Sequence, residues 1–90
     1  MLVKANLQEI MDFMKEERDC KIEIDAEGKA SVLPVDAAGY DDTILVQELY
    51  ASDYDECGSE KDYIDWLEEC YYDFELEAKN GELVKIKFVK

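Results

Sequence analysis

Apolar side chains recur along this chain in two rhythms, and the switches between them outline its elements. Val3, Leu7, Ile10 and Met14 fall at i, i+4, i+7 and i+11, with Met11 widening the stripe, which is the spacing of one helix face. Asn6 stands where an N-cap belongs, and Glu9 three residues later completes a capping-box pattern. Lys15 and Arg18 suit a last turn, where the helix dipole favours positive charge. The spacing predicts a helix over 7–18.

A period of two follows. Cys20, Ile22 and Ile24 alternate with Lys21, Glu23 and Asp25, as in a strand buried on one face. Ala26-Glu27-Gly28 reads as a three-residue hairpin loop with Gly28 left-handed. The return strand, 29–35, contains Pro34, which has no N–H to give a ladder, so it ends there or lies at an edge. Residues 36–42 read as a loop. From Thr43 to Ser52 two readings compete. Thr43, Ile44 and Val46 favour a strand, whereas Asp42 could cap a helix carrying Leu45, Leu49 and Tyr50; the β-branched run favours the strand.

Asp53 to Gly58 reads as a second, acidic loop. Ser59 then caps a helix, 60–70, with Asp62 at the capping-box position. Tyr63, Leu67 and Cys70 line its inner side, joined by Ile64 and Tyr71. Alternation returns at Tyr72, Phe74, Leu76 and Ala78, and Lys79-Asn80-Gly81 turns the chain into a last strand with Val84, Ile86 and Phe88. A two-residue Asn-Gly turn would set Leu76 and Phe74 opposite lysines. A three-residue loop with Gly81 left-handed instead pairs 76 with 84, 74 with 86 and 72 with 88, and sets Glu75 and Asp73 against Lys85 and Lys87. The second register is expected. Its lysines then neutralise the acids beside them, and no nucleic-acid site is expected at this basic end. The elements predict an α+β domain spanning 1–90 in the order α-β-β-β-α-β-β, an antiparallel sheet of about five strands with two helices on one face.

Composition narrows the possibilities further. With 48% apolar and 38% charged residues the chain is expected to fold. No apolar run approaches the roughly 18 residues of a membrane span, and Met1 to Asn6 shows no basic-then-apolar leader pattern. Cys20, Cys57 and Cys70 are odd in number and outside any Cys-x-x-Cys spacing, which fits reduced thiols in a cytoplasm. The chain has no histidine, the commonest general base and the usual zinc ligand. No Gly-rich phosphate loop or nucleophile elbow occurs. Cys57 sits among Asp53, Asp55 and Glu56, which blunts a thiol. Asp53-x-Asp55-x-Cys57-Gly58 begins like a calcium loop, but Cys57 takes its fifth position and Ile64 its twelfth, where a bidentate glutamate is needed. No enzyme activity, metal or cofactor is expected.

Charge is the distinctive feature. The net charge is −14, beyond the magnitude of about 2 to 8 that keeps a small domain soluble. Residues 1–35 hold eight acids and five bases, 78–90 one acid and four bases, and 36–77 fifteen acids and Lys61 alone. The flanks cancel at −3 and +3, so the middle stretch carries the whole −14. On the second helix Asp62, Asp65 and Glu69 share a face, flanked by Glu68. Tyr40, Tyr50, Tyr54, Tyr63, Trp66, Tyr71 and Tyr72 fall in the same stretch, and Trp66 lies off the inner stripe and is expected to be partly exposed. Aromatics within a charged rim are what protein interfaces favour. The candidate partner-binding residues are Asp53, Tyr54, Asp55, Glu56, Asp62, Asp65, Trp66, Glu68 and Glu69. Closely spaced carboxylates present to a partner much what a phosphate backbone presents. A Lys/Arg-lined groove should bind them in a salt-sensitive way, while nucleic acid itself is repelled.

In its length and charge, its N-terminal amphipathic helix before a small sheet, and the segments Asp53-Tyr54-Asp55-Glu56 and Tyr63-Ile64-Asp65-Trp66-Leu67-Glu68-Glu69, the chain resembles the small acidic phage-encoded inhibitors. These are the anti-CRISPR and anti-restriction proteins, several of which act as DNA mimics on nuclease surfaces. The resemblance implies mimicry and assigns no particular residue. Two other functions share the composition: an antitoxin or immunity protein neutralising a basic toxin, and a homodimeric interaction module.

Overall fold

The first helix begins where its cap stands. Asn6 Oδ1 accepts the Glu9 N–H at 3.1 Å, and α1 (Leu7–Lys15) buries Leu7, Ile10, Met11 and Met14. It ends three residues before the predicted 18, because Glu17 turns left-handed (φ 57°) and the Arg18 N–H folds back to the Phe13 carbonyl at 3.0 Å. The computed structural model describes residues 1–72 and 75–90, without the side chains of 71 and 72.

Ahead of the cap the chain is a strand, β1 (Leu2–Asn6), which the helical spacing of Val3 concealed. β1 runs parallel to the last strand, β6 (Leu83–Val89), with Val3 opposite Ile86 and Ala5 opposite Phe88. Those four side chains are buried, while Leu2, Lys4, Lys85 and Lys87 face outward. The partner lies about eighty residues away along the chain, so no local signal marks the pairing.

The predicted hairpin is present as β2 (Cys20–Asp25) and β3 (Ala30–Pro34), with Gly28 at φ 88° and Cys20, Ile22 and Ile24 fully buried. Pro34 ends β3, which lies at the edge of its sheet as its missing N–H requires. Thr43 opens a strand, β4 (Thr43–Leu49), antiparallel to β2.

The acidic tract is not a loop. It forms α2 (Ala51–Cys57), ended by Gly58 at φ 81°. Tyr50 offers this helix no side-chain cap, and Asp19 supplies it from across the chain: its Oδ1 accepts the Ala51 N–H at 2.9 Å. That long-range cap is what a local reading of a polar, acidic segment misses. Ser59 caps α3 (Glu60–Leu67) as predicted, its Oγ accepting the Asp62 N–H at 3.2 Å. The helix does not run to 70. A π-helical turn, Glu68–Tyr72, follows it, so Tyr72 is not a strand residue opposite Phe88.

β5 (Leu76–Glu77) is correspondingly short, with Leu76 opposite Val84 in the predicted register and Gly81 at φ 78° in the turn. Lys85 reaches Glu75 at 3.5 Å. The expected pairing of Phe74 with Ile86 and of Asp73 with Lys87 lies outside the described residues.

The α+β class therefore holds, but the single antiparallel sheet does not. Among the described residues three helices accompany six strands in two sheets, β1-β6-β5 and β3-β2-β4. The sheets touch where Lys4 bridges Lys29, and again where the Lys79 N–H meets the Ile44 carbonyl at 2.9 Å. One apolar cluster joins both sheets to the helices, with Ile10, Met11, Met14, Tyr63 and Leu67 closing over the strands. Burying each such large side chain contributes about 1.5–3 kcal/mol.

Candidate functional site

α2 and α3 meet at Gly58 and Ser59, and this pair carries all nine candidate residues apart from Glu68 and Glu69, which continue into the π-helical turn. Asp53 in the first turn of α2, and Glu60 and Asp62 in that of α3, complement the positive helix ends. Asp55 and Glu56 lie in the later part of α2, Asp65 in that of α3, and Glu68 and Glu69 in the π-helical turn that follows it. There the dipole disfavours them, and neither last turn contains a base. These five positions work against helix stability.

Asp55, Glu56, Asp62, Asp65, Glu68 and Glu69 are exposed, and Asp53 is half-buried. The chain's own cations reach few of them. Lys15 pairs with Glu60 at 3.3 Å and Lys61 with Asp65 at 3.2 Å, both in the open. Among the described residues Asp53, Asp55, Glu56, Asp62, Glu68 and Glu69 make no ion pair. Carboxylates from the two helices do act on common ground: the Cys57 thiol is pushed above its ordinary value by burial first and then by Asp62, Asp53 and Glu56. The Lys61 ammonium is held above its ordinary value by its hydrogen bond to Asp65, then by the charges of Asp65 and Asp62.

No protein family, curated protein or solved structure matches this chain. Its surface is therefore read from its own chemistry. No described helix is long and apolar enough to cross a membrane. Asp53 and Asp55 stand two apart on a helix and do not face each other, and among the described residues no three His, Cys, Asp or Glu side chains form a group able to hold a metal ion.

The aromatic part of the prediction changes more. Tyr63 is fully buried, with Tyr54 edge-on at 5.3 Å and Trp66 stacked at 5.7 Å. Tyr54 and Trp66 are half-buried and both pack against Tyr63, so they brace the two helices and offer a partner only their remaining surface. Among the described residues the more exposed aromatics are Tyr40 and Tyr50.

Two features escaped the sequence reading. Glu23, placed by alternation on the solvent side of β2, is only 3% exposed beneath the 36–42 loop. The parallel β1–β6 register also sets Lys4 beside Lys87, and Lys4 bridges Lys29 on its other side. All three are exposed and, among the described residues, have no ion-pair partner; the neutralisation expected of the last strand is seen at Lys85, and that expected between Lys87 and Asp73 lies outside the described residues. Only the β1 pairing reveals this row. Negative charge gathers on the helices, and a smaller positive group lies on the outward face of β1 and β6.

Proposed function

We propose that this chain is an inhibitor that covers a basic nucleic-acid-binding groove of a partner protein such as a nuclease, acting as a DNA mimic in the manner of anti-CRISPR proteins. One observation carries the reading: among the described residues six carboxylates on and just after α2 and α3 make no ion pair, and five of them are exposed. Several occupy helix positions where they cost stability. A Lys/Arg-lined cleft relieves that repulsion, speeds encounter, and makes binding fall steeply with salt. Nucleic acid would meet the same field as a repulsion. The three free cysteines suit a reducing cytoplasm, where this action would take place.

Affinity capture from a bacterial lysate, with salt elution and identification of the eluted proteins, tests the reading. The partner should elute at moderate salt, and duplex DNA should compete for it. A variant with Asp62→Lys, Asp65→Lys and Glu69→Lys should fold and lose the partner. Capture undiminished by that reversal would refute the assignment.

A further inference from the structure

The outer side of α3 also forms one wall of a groove of about 680 Å³ shared with α1 and the end of β6. This is the size range of pockets that hold a compact ligand or side chain. Its floor is apolar: Leu7 and Phe88 present their small exposed remainder, and Ile64 is half-buried between them and solvent. Asp65 and Glu68 line it as well, and a second hollow past Met11 on α1 shares its Leu7, Glu60, Ile64 and Lys90. An apolar floor with carboxylates in the same lining asks for a ligand with both characters.

We infer that this groove receives an arginine side chain from the basic partner, an assignment that rests on the inhibitor reading above. The three-carbon stem would lie over Leu7, Ile64 and Phe88, while the guanidinium reaches the rim, in the way long cationic side chains bury their stems and keep their heads polar. Glu68 has no ion partner among the described residues and is the natural acceptor. Asp65 is held only by Lys61, in an exposed pair that is easily exchanged. The groove's own cations set the limits. Lys61 is drawn to Asp65, Lys90 lies at the β6 end, and Glu60 is engaged by Lys15, so the vacant negative charge concentrates at Glu68. Arginine suits this wall better than lysine, because its planar fork can bond a carboxylate through two parallel N–H groups and is less strongly hydrated.

The test titrates the full chain, by NMR, with the peptide acetyl-Gly-Arg-Leu-Arg-Gly-amide and with its lysine counterpart. Saturable shifts are expected at the Leu7 and Ile64 methyls and the Phe88 ring, with the arginine peptide binding severalfold tighter. Glu68→Gln, nearly isosteric and exposed, should remove most of that preference; Ile64→Ser should weaken both peptides, with a thermal melt confirming that each variant is folded. Shifts confined to Asp55, Glu56 and Asp62, equal for the two peptides, or no shifts at all, would overturn the groove assignment. The captured partner separates the two ideas. If the triple lysine variant loses it while Glu68→Gln and Ile64→Ser bind as tightly as the parent, the groove proposal falls and the inhibitor reading stands. If the partner survives the triple reversal, the reading falls with it.

Discussion

A Cβ at Gly39 would stand 2.7 Å from both carboxylate oxygens of Glu23. The 36–42 loop lies that close because Glu23 fastens it: Oε1 accepts the Tyr40 N–H at 3.0 Å and the Thr43 hydroxyl at 2.8 Å. Lys21 Nζ stands 3.0 Å from Oε2, an ionic contact outside hydrogen-bonding angles, and donates to the Ala37 carbonyl at 2.7 Å. A buried pair thus straps a loop over the outer face of β2. Gly39→Ala should lower stability by about 1–3 kcal/mol, the range for overpacking, read as a fall in Tm. An unchanged Tm would mean that the loop gives way freely.

Removing one partner of the pair should do more than removing both. Lys21→Ala strands a carboxylate that is almost wholly buried, and the expected loss is about 3 kcal/mol. Lys21→Met combined with Glu23→Leu should recover part of it. Chemical denaturation of the single and double variants measures the difference.

The same carboxylate contributes to acid stability. Burial pushes the Glu23 carboxyl up, but Lys21, the Thr43 hydroxyl and the Tyr40 N–H together hold it below its ordinary value of 4.5. A lowered folded-state value means that the contribution is complete above about 4.5, the unfolded value, and is lost as pH falls through the folded one. Glu23→Gln should therefore cost stability at pH 7 and less at pH 3. A parallel loss at both would show that the effect is packing alone.

Thiol reactivity should report unfolding. Cys20 is fully buried, and burial, followed by Asp19, pushes its thiol up to about 12. An aromatic disulfide reagent at pH 8 should leave Cys20 untouched in the native protein and react fully in denaturant. Cys57, raised by burial and by three nearby carboxylates, should react more slowly than a free thiol. Rapid native labelling of Cys20 would contradict its placement.

Repulsion within the helices and within the lysine row predicts two opposite remedies. Salt should raise Tm by screening the acids. Lys4→Glu should stabilise by a few tenths to about 1 kcal/mol, since it turns two like-charged neighbours on the sheet into opposite ones. A Tm indifferent to salt would mean that the carboxylates do not share one field.

What the sequence determined by itself was local. Asn6 and Ser59 cap their helices, Gly28 and Gly81 turn left-handed, Pro34 ends an edge strand, and Leu76 meets Val84, because each depends on residues only a few positions away. The exposure of the acids on α3 followed from helical spacing in the same way. Tertiary structure decided the rest. β1 exists because β6 lies beside it, α2 because Asp19 caps it from another element, and Glu23 is buried because a distant loop crosses it. Tyr54 and Trp66 are partly covered because both pack against Tyr63. Such arrangements draw their free energy from contacts between segments far apart in the chain, and the pattern within any one segment contains no trace of its partner.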